Sequence, residues 1–155
     1  MIAWRVFVVY MSDVNGTAAD LGLLRSPMGK SRWDWARAAW PSRHVKATCP
    51  KKHGDRRSCR CGIYACRSVE SLSQLRAVRE KLPTAVLAPV RLEGDVWTSP
   101  DRTDPPGSVR GDAATLLGPL YVNPSPAASQ IRQALTDRYG LPTVLTFSGC
   151  RPIAW

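Results

Sequence analysis

Four residues with metal-binding side chains fall within a stretch of 13 positions: Cys49, His53, Cys59 and Cys61, in a C-x3-H-x5-C-x-C spacing. Structural zinc sites take four Cys or His ligands, commonly as two local pairs joined by a loop. Cys49 with His53 and Cys59 with Cys61 form two such pairs. The surrounding Lys and Arg residues favour the thiolate form that a metal needs. The spacing therefore predicts a structural Zn2+ site.

A second interpretation of these residues needs no metal. Cys49 and Cys61 would be core cysteines at strand ends, and His53 would be a solvated loop residue. The intervening loop has no apolar residue to anchor it, and a bound ion would replace that missing anchor. Cys66 and His44 are reserve ligands. Both interpretations remain open on the sequence alone, and the bare loop favours the metal.

Catalysis is less strongly indicated than binding. A catalytic zinc usually has a nearby carboxylate base, and Asp55 is the only acid in the Cys/His loop. The chain has no G-x-x-x-x-G-K, no Rossmann glycine fingerprint, no H-E-x-x-H and no G-x-S-x-G. A nucleophile turn at Ser148-Gly149-Cys150 is disfavoured because the chain has only two histidines. We assign no catalytic residue, and a non-enzyme is favoured over an enzyme.

The net charge of the chain is concentrated in one segment. The 155 residues carry 22 Lys or Arg against 12 Asp or Glu, a formal net charge of +10. Residues 25–67, here called the basic segment, hold twelve of those basic residues and two acids, so the rest of the chain is neutral. Such a segment can neutralise several phosphates and release their counterions. It predicts salt-dependent binding to DNA or RNA.

Basic and aromatic residues alternate in the basic segment, as in proteins that bind unpaired bases. The aromatic residues are Trp33, Trp35, Trp40 and Tyr64, although the spacing of Trp33 and Trp40 favours core packing. The predicted nucleic-acid contacts are Arg32, Arg37, Arg43, Lys46, Lys51, Lys52, Arg56, Arg57 and Arg60. We predict a small basic, zinc-stabilised nucleic-acid-binding accessory protein, and a reader of modified or flipped bases falls within that class.

Two alternatives to nucleic-acid binding remain. The charges could form an ordinary solvated face, but acids avoid the basic segment more than such mixed surfaces do. The protein could instead be a phage or mobile-element interaction or inhibitor protein that docks on an acidic surface of a host protein. The basic charge would then steer association. The sequence does not fix the oligomeric state.

No membrane or export signal is evident. Residues 1–10 are mostly apolar but are interrupted by Arg5, lack a basic start and have no cleavage site of small residues. No apolar run approaches the roughly 18 residues that a spanning helix needs. We expect a cytoplasmic protein without a membrane partner. In a reducing cytoplasm, close cysteines are more often metal ligands or free thiols than disulfides.

Two helices are predicted from apolar spacing and caps. Residues 68–82 carry apolar side chains at intervals of three and four after Ser68, a favourable N-cap. Residues 126–139 show the same periodicity, begin near a cap at Ser125 and end before Gly140. A capping box at 31–34 predicts a third helix, with Trp40 on its apolar face. Proline residues close the first and third of these segments.

Strand patterns occupy most of the remaining chain. Residues 2–10 and 62–67 are rich in β-branched and aromatic residues, and two apolar runs within 84–98 predict a hairpin or a bulged strand pair. Residues 99–111 are Pro-rich and predict a loop. At 44% hydrophobic residues, the chain is expected to form a single domain over 1–155. We predict an α+β fold: an antiparallel or mixed sheet curling toward a small barrel, with two or three helices and a zinc-stabilised loop.

Several short motifs resemble one family of small proteins. They are W-R at 4–5, S-P at 26–27, Cys49, His53 and the run C-R-C-G-I-Y-A at 59–65. These resemble the C-x-C-G-I-[YH]-A signature of small proteins from actinobacteria and their phages. The resemblance covers most of the chain but departs from the family between Leu92 and Leu120, where the Pro-rich loop replaces an aromatic-rich hairpin. It implies one domain, a cytoplasmic setting and the Cys/His cluster, and it supplies no activity.

Overall fold

The computed structural model describes residues 1–11, 21–26, 39–48, 61–72, 83–99 and 104–145. These residues form nine strands and two helices. In chain order the elements are β1 (Ile2–Val9), β2 (Leu24–Arg25), β3 (Ala39–Trp40), β4 (His44–Lys46), β5 (Ile63–Cys66), α1 (Val69–Leu72), β6 (Ala85–Thr98), β7 (Ser108–Leu116), β8 (Leu120–Val122), α2 (Ala128–Tyr139) and β9 (Thr143–Leu145).

Four strands close into a ring at the centre of the sheet. β1 pairs antiparallel with β6, β6 with β7, β7 with β5, and β5 with β1 again. The last of these contacts is a single register pair, Trp4 opposite Cys66, so the ring is only partly closed. β8 pairs with β6, and β9 runs parallel to β8, which makes the sheet mixed. The predicted α+β fold with a mixed sheet curling toward a barrel is confirmed at this level.

The ring curves because one long strand, β6, pairs with both β1 and β7. Its first half pairs with β1 and its second half with β7, and the register with β7 shifts between Glu93 and Val96. Gly94 lies at this irregularity with φ +72°, a conformation that glycine adopts without strain. The hairpin predicted over 84–98 is therefore wrong. The segment is one continuous strand, β6, and not a pair of strands. A bulge was part of the alternative prediction, and the pairing of β6 with β7 is irregular between the two apolar runs.

The core fills the space between the ring and α2. Ile131, Leu135 and Tyr139 lie on one face of α2 and are buried. The Tyr139 hydroxyl donates to the carbonyl of Trp40 at 2.7 Å and accepts from the backbone N–H of Leu24 at 2.9 Å. The helix thereby fixes the short strands β2 and β3 to the main sheet.

The predicted caps have different outcomes in the two helices. The N–H of Ser71 donates to Ser68 Oγ at 3.3 Å, so Ser68 begins α1 as predicted. Residues 73–82 of that predicted helix lie outside the described residues. For α2 the predicted cap at Ser125 is wrong, because the N-cap is Ala127 and makes no side-chain cap bond. Gly140 ends α2 as predicted, with φ +60°.

Two further expectations change. Trp40 was predicted on a helix and lies in β3, where it pairs with Leu24. The Pro-rich loop predicted over 99–111 ends early because β7 begins at Ser108. Within the described part of the chain, no helix is long and apolar enough to cross a membrane.

Candidate functional site

A cavity of about 340 Å³ lies between β1, β5, β7 and the short strands β3 and β4. Most of its described lining comes from residues 39–48 and 61–64, which both belong to the basic segment. Its charged lining residues are Arg5, Lys46, Asp104 and Arg110. Trp40, Val45, Ile63 and Tyr64 supply apolar and aromatic wall. A charged floor with an apolar wall is typical of a site for an organic anion.

Two strands of the basic segment, β4 and β5, pair with the same edge of β7. Lys46 of β4 lies opposite Ala113, and Ile63 of β5 lies opposite Gly111. The strands on either side of residues 49–60 therefore pair with β7 at positions two residues apart. Ala47 continues this arrangement, since its N–H donates to the carbonyl of Asp112 at 2.7 Å. The register thus brings the described residues on either side of positions 49–60 to the cavity.

Arg5 is the unusual residue of β1. It is 6% exposed, and its guanidinium lies 5.3 Å from the centre of the Phe7 ring and 5.7 Å from that of Trp40. One Nη1 hydrogen is donated to the carbonyl of Tyr64, whereas Nε is buried without a hydrogen-bond partner. No carboxylate pairs with Arg5 among residues whose positions are described. Desolvation lowers the pKa of Arg5 from its usual value to about 10, so it remains a cation at neutral pH.

Arg110, by contrast, is fully engaged. Its Nη2 lies 3.0 Å from Asp104 Oδ2 in an ion pair whose two side chains are 11% and 4% exposed. Its Nε donates to Ser99 Oγ at 2.9 Å and its Nη1 to the Gly62 carbonyl at 3.4 Å. The carboxylate also accepts a hydrogen bond from Ser99. Asp104 comes from the Pro-rich loop, which therefore contributes the counter-charge of a buried arginine.

A polar cluster holds Tyr64 beside the two arginines. The Tyr64 hydroxyl lies 3.0 Å from Cys66 Sγ and 3.1 Å from Ser108 Oγ. Burial, and then the hydrogen bond to Cys66, raise the pKa of Tyr64 above its usual value of 10. The neutral phenol is thereby fixed in place, with Arg110 5.6 Å from the centre of its ring. The same residue provides the carbonyl that binds Arg5.

Gly62 permits the close packing of the cavity wall. A Cβ at this position would lie 2.7 Å from the Trp97 ring and 2.9 Å from Arg110 Cβ. Both distances are shorter than Cβ contacts in proteins, so only glycine fits without displacement. The glycine in the C-x-C-G run thus has a physical role: it lets Trp97 and Arg110 approach the backbone.

The predicted zinc ligands lie mostly outside the described residues. Three of the four predicted ligands are not described: Cys49, His53 and Cys59. The fourth, Cys61, lines the cavity and is disulfide-bonded. The other described cysteine, Cys66, is free, so the partner of Cys61 lies outside the described residues. No group of three or more His, Cys, Asp or Glu that could hold a metal occurs within the described ranges.

Of the predicted nucleic-acid contacts, Arg43 and Lys46 are described, and both are exposed. Lys46 lines the cavity and Arg43 does not. Those that lie outside the described residues are Arg32, Arg37, Lys51, Lys52, Arg56, Arg57 and Arg60. Trp40 is buried against Phe7, with ring centres 5.0 Å apart, so core packing is the correct interpretation for it.

Sequence reasoning missed the three buried charges. Arg5 was noticed only as an interruption of an apolar run, although a lone arginine within a strand of buried residues is itself a signal of a buried cation. Asp104 and Arg110 were included only in the predicted loop. Their ion pair depends on how that loop folds back onto β7, which periodicity does not reveal.

In comparisons with known proteins, no protein-family model, no curated protein and no solved structure matches the chain.

Proposed function

We propose that the protein is a small basic nucleic-acid-binding accessory module of the cytoplasm, in which the basic segment contacts the phosphate backbone. The observation that supports this most is that two parts of that segment, residues 39–48 and 61–64, supply most of the described lining of the cavity. A strand held by the basic segment would therefore run past the mouth of a cavity that also contains buried cations.

The size of the cavity favours a single nucleotide unit over a longer segment. Its volume of about 340 Å³ is at the lower end of the range for small-ligand pockets. A modified or flipped base is one nucleotide that has left its stack, which costs only a few kcal/mol when the strand is already single. Unpaired DNA or RNA is therefore the form of nucleic acid that we expect to bind most tightly.

The Cys/His loop is proposed to be stabilised by a structural Zn2+ held by Cys49, His53, Cys59 and Cys61. Support comes from the register along β7, which places Lys46 and Ile63, on either side of the four proposed ligands, opposite residues that are two positions apart. Cys61 cannot bind zinc and form a disulfide at the same time. Reducing conditions therefore favour the zinc-bound form, and oxidising conditions favour the disulfide. Zinc would fix the loop and require no hydrophobic anchor.

The test of the proposed function is the salt dependence of oligonucleotide binding. Fluorescence anisotropy with 12-nucleotide single-stranded and double-stranded DNA and RNA, at several salt concentrations, gives log K against log salt. We expect a steep negative slope, with single strands bound more tightly. Reversal of Lys51, Lys52, Arg56 and Arg57 to Glu should weaken binding by more than about tenfold.

A matched pair of variants separates local contact from total charge. Lys46 and Arg91 are both exposed strand residues, and only Lys46 lines the cavity. Lys46→Gln should lower the salt slope by about one, whereas Arg91→Gln should leave it nearly unchanged. Equal effects of the two variants, or no binding to any oligonucleotide, would refute the proposal. Binding to an acidic host protein instead would favour the docking alternative.

A further inference from the structure

The described walls of the cavity carry more positive than negative charge. Arg5, Lys46 and Arg110 line it, and Asp104 is the one carboxylate among its described lining residues. The ion pair with Arg110 neutralises Asp104. Two cations, Arg5 and Lys46, remain for a ligand. A monoester phosphate carries a charge of about −1.5 to −2 at neutral pH and matches this excess, whereas a carboxylate carries half of it.

The guanidinium of Arg5 is the deepest of these charges. Only one of its five N–H groups donates to an acceptor among the described residues, the carbonyl of Tyr64. The rings of Phe7 and Trp40 stabilise the cation in part, but they supply no negative charge. A buried cation with no counter-anion is unfavourable until a ligand provides one. Arginine is well suited to the task because its planar N–H groups bind phosphate oxygens in pairs.

We propose that this cavity binds the terminal phosphomonoester of a nucleotide, with the phosphate at Arg5 and the nucleoside against the aromatic and apolar wall. This inference rests on the proposed function for the choice of a nucleotide as ligand. The ligand is either a free mononucleotide or the phosphorylated end of a strand, since both present the same chemical group.

The depth of Arg5 favours an end over an internal phosphate. A phosphodiester has a nucleotide on each side, and a cavity of about 340 Å³ has no room for both. Arg5 is only 6% exposed, so a ligand must enter the cavity to reach it. A terminal phosphate can enter with a single nucleoside behind it. Lys46, at the exposed edge, is then placed to contact the next phosphate of a longer strand.

The test compares trithymidylates that differ only at their ends. The probes are a trimer with hydroxyl ends, one with a 5′-phosphate, one with a 3′-phosphate, and both phosphorylated trimers capped as methyl esters. We expect the wild-type protein to bind one phosphorylated trimer at least about tenfold more tightly than the hydroxyl trimer. The methyl cap should abolish most of that gain because it removes the monoester. Equal affinity for the capped and uncapped trimers would overturn the inference.

Protein variants assign the effect to Arg5. Arg5→Met should remove the preference for the phosphorylated trimer, and Arg5→Lys should retain part of it. Arg91→Met removes one exposed positive charge away from the cavity and should keep the full preference. A preference that survives in Arg5→Met would overturn the assignment of Arg5.

Two further probes separate the inference from the proposed function. If unphosphorylated 12-nucleotide strands bind and end phosphates make no difference, the proposed function stands and the inference fails. If thymidine monophosphate binds in an Arg5-dependent manner and no oligonucleotide does, the phosphomonoester site stands and the proposed function fails. If neither binds, both are wrong.

Discussion

The two buried arginines of the cavity differ in what surrounds their charge. Arg110 has a carboxylate 3.0 Å away, together with a hydroxyl and a carbonyl as further acceptors. Among the described residues, Arg5 has one carbonyl acceptor and two aromatic rings. Asp104 balances the charge of Arg110 without a ligand. No carboxylate among the described residues balances the charge of Arg5. The difference assigns a structural role to Arg110 and a binding role to Arg5.

The same difference predicts which substitutions affect the stability of the protein and which affect ligand binding. A buried ion pair whose hydrogen bonds are satisfied becomes costly only when one partner is removed. A lone buried cation costs free energy in the unliganded protein and recovers it when an anion binds. Substitutions on the two sides should therefore have opposite profiles: loss of folding at Arg110 and loss of binding at Arg5.

The largest effect is expected at Asp104. Asp104→Asn removes the counter-charge of Arg110 and leaves two uncompensated guanidinium groups in one cavity. We expect the free energy of unfolding to fall by about 3–5 kcal/mol, measured by urea denaturation. Asp137→Asn, on the exposed face of α2, is the matched control and should change it by less than about 0.5 kcal/mol. A similar loss in both variants would contradict the structural role of the pair.

Gly62 is the next most sensitive position. Gly62→Ala places a methyl group 2.7 Å from the Trp97 ring and 2.9 Å from Arg110 Cβ. The displacement needed to relieve these contacts should cost about 1–3 kcal/mol in urea denaturation. Gly140→Ala has no neighbour within 4 Å and tests only the left-handed conformation, so about 1 kcal/mol is expected. An alanine at 62 that is tolerated better than one at 140 would contradict the packing described for the cavity wall.

Arg5→Met should change the stability of the protein less than Asp104→Asn or Gly62→Ala does, although it should strongly weaken ligand binding. Desolvation lowers the pKa of Arg5 to about 10, and this shift corresponds to a cost of roughly 3 kcal/mol at neutral pH. Methionine removes that cost and also the contacts with Phe7, Trp40 and the Tyr64 carbonyl, so the two changes nearly cancel. We expect the free energy of unfolding to stay within about 1 kcal/mol of wild type. A loss as large as that of Asp104→Asn would place Arg5 with the structural residues.

Tyr64 gives the smallest effect, as a change in pH dependence. Burial raises the pKa of Tyr64, so the folded state favours the neutral phenol. This contribution to stability is complete below pH 10 and is lost as the pH rises above 10, where the unfolded tyrosine ionises. From pH 9 to pH 11, wild-type stability should therefore fall more steeply than that of Tyr64→Phe, by less than about 1.4 kcal/mol per pH unit. Parallel profiles in urea denaturation would show that Tyr64 is not held neutral.

The parts of the fold that follow from local pattern were predictable. β1 and β5 follow from runs of β-branched and aromatic residues, and α2 from apolar spacing that ends at Gly140. The curl of the sheet was also anticipated. The long strand β6 was not, because a turn-like sequence at Glu93–Asp95 resembles a hairpin until both of its neighbours are known.

The site was less predictable for a similar reason. The basic segment follows from composition alone, but the cavity that it lines depends on β4 and β5 pairing with the same edge of β7. Such pairing joins residues far apart in sequence, and no periodicity records it. The burial of Arg5 likewise depends on which side of β1 the ring closes. The predicted zinc ligands other than Cys61 lie outside the described residues, and their role remains a prediction.

The proposed zinc site, which includes the cavity-lining residue Cys61, gives a further prediction. Elemental analysis of protein purified under reducing conditions should find about one zinc per chain, and Cys59→Ser should lose it and lower the Tm. Protein without zinc under these conditions would end the proposal.

The most direct test of the difference between the two arginines is the 31P spectrum of 5′-phosphorylated and 3′-phosphorylated trithymidylate during titration with the protein. The terminal phosphate has a second pKa of about 6 in solution, and contact with a guanidinium lowers it. With wild-type protein, we predict that one terminal resonance shifts more than those of the internal phosphodiesters and that its pKa falls, whereas Arg5→Met leaves it unmoved. Terminal resonances that stay unmoved with wild-type protein, or an equal shift with Arg5→Met, would contradict the account.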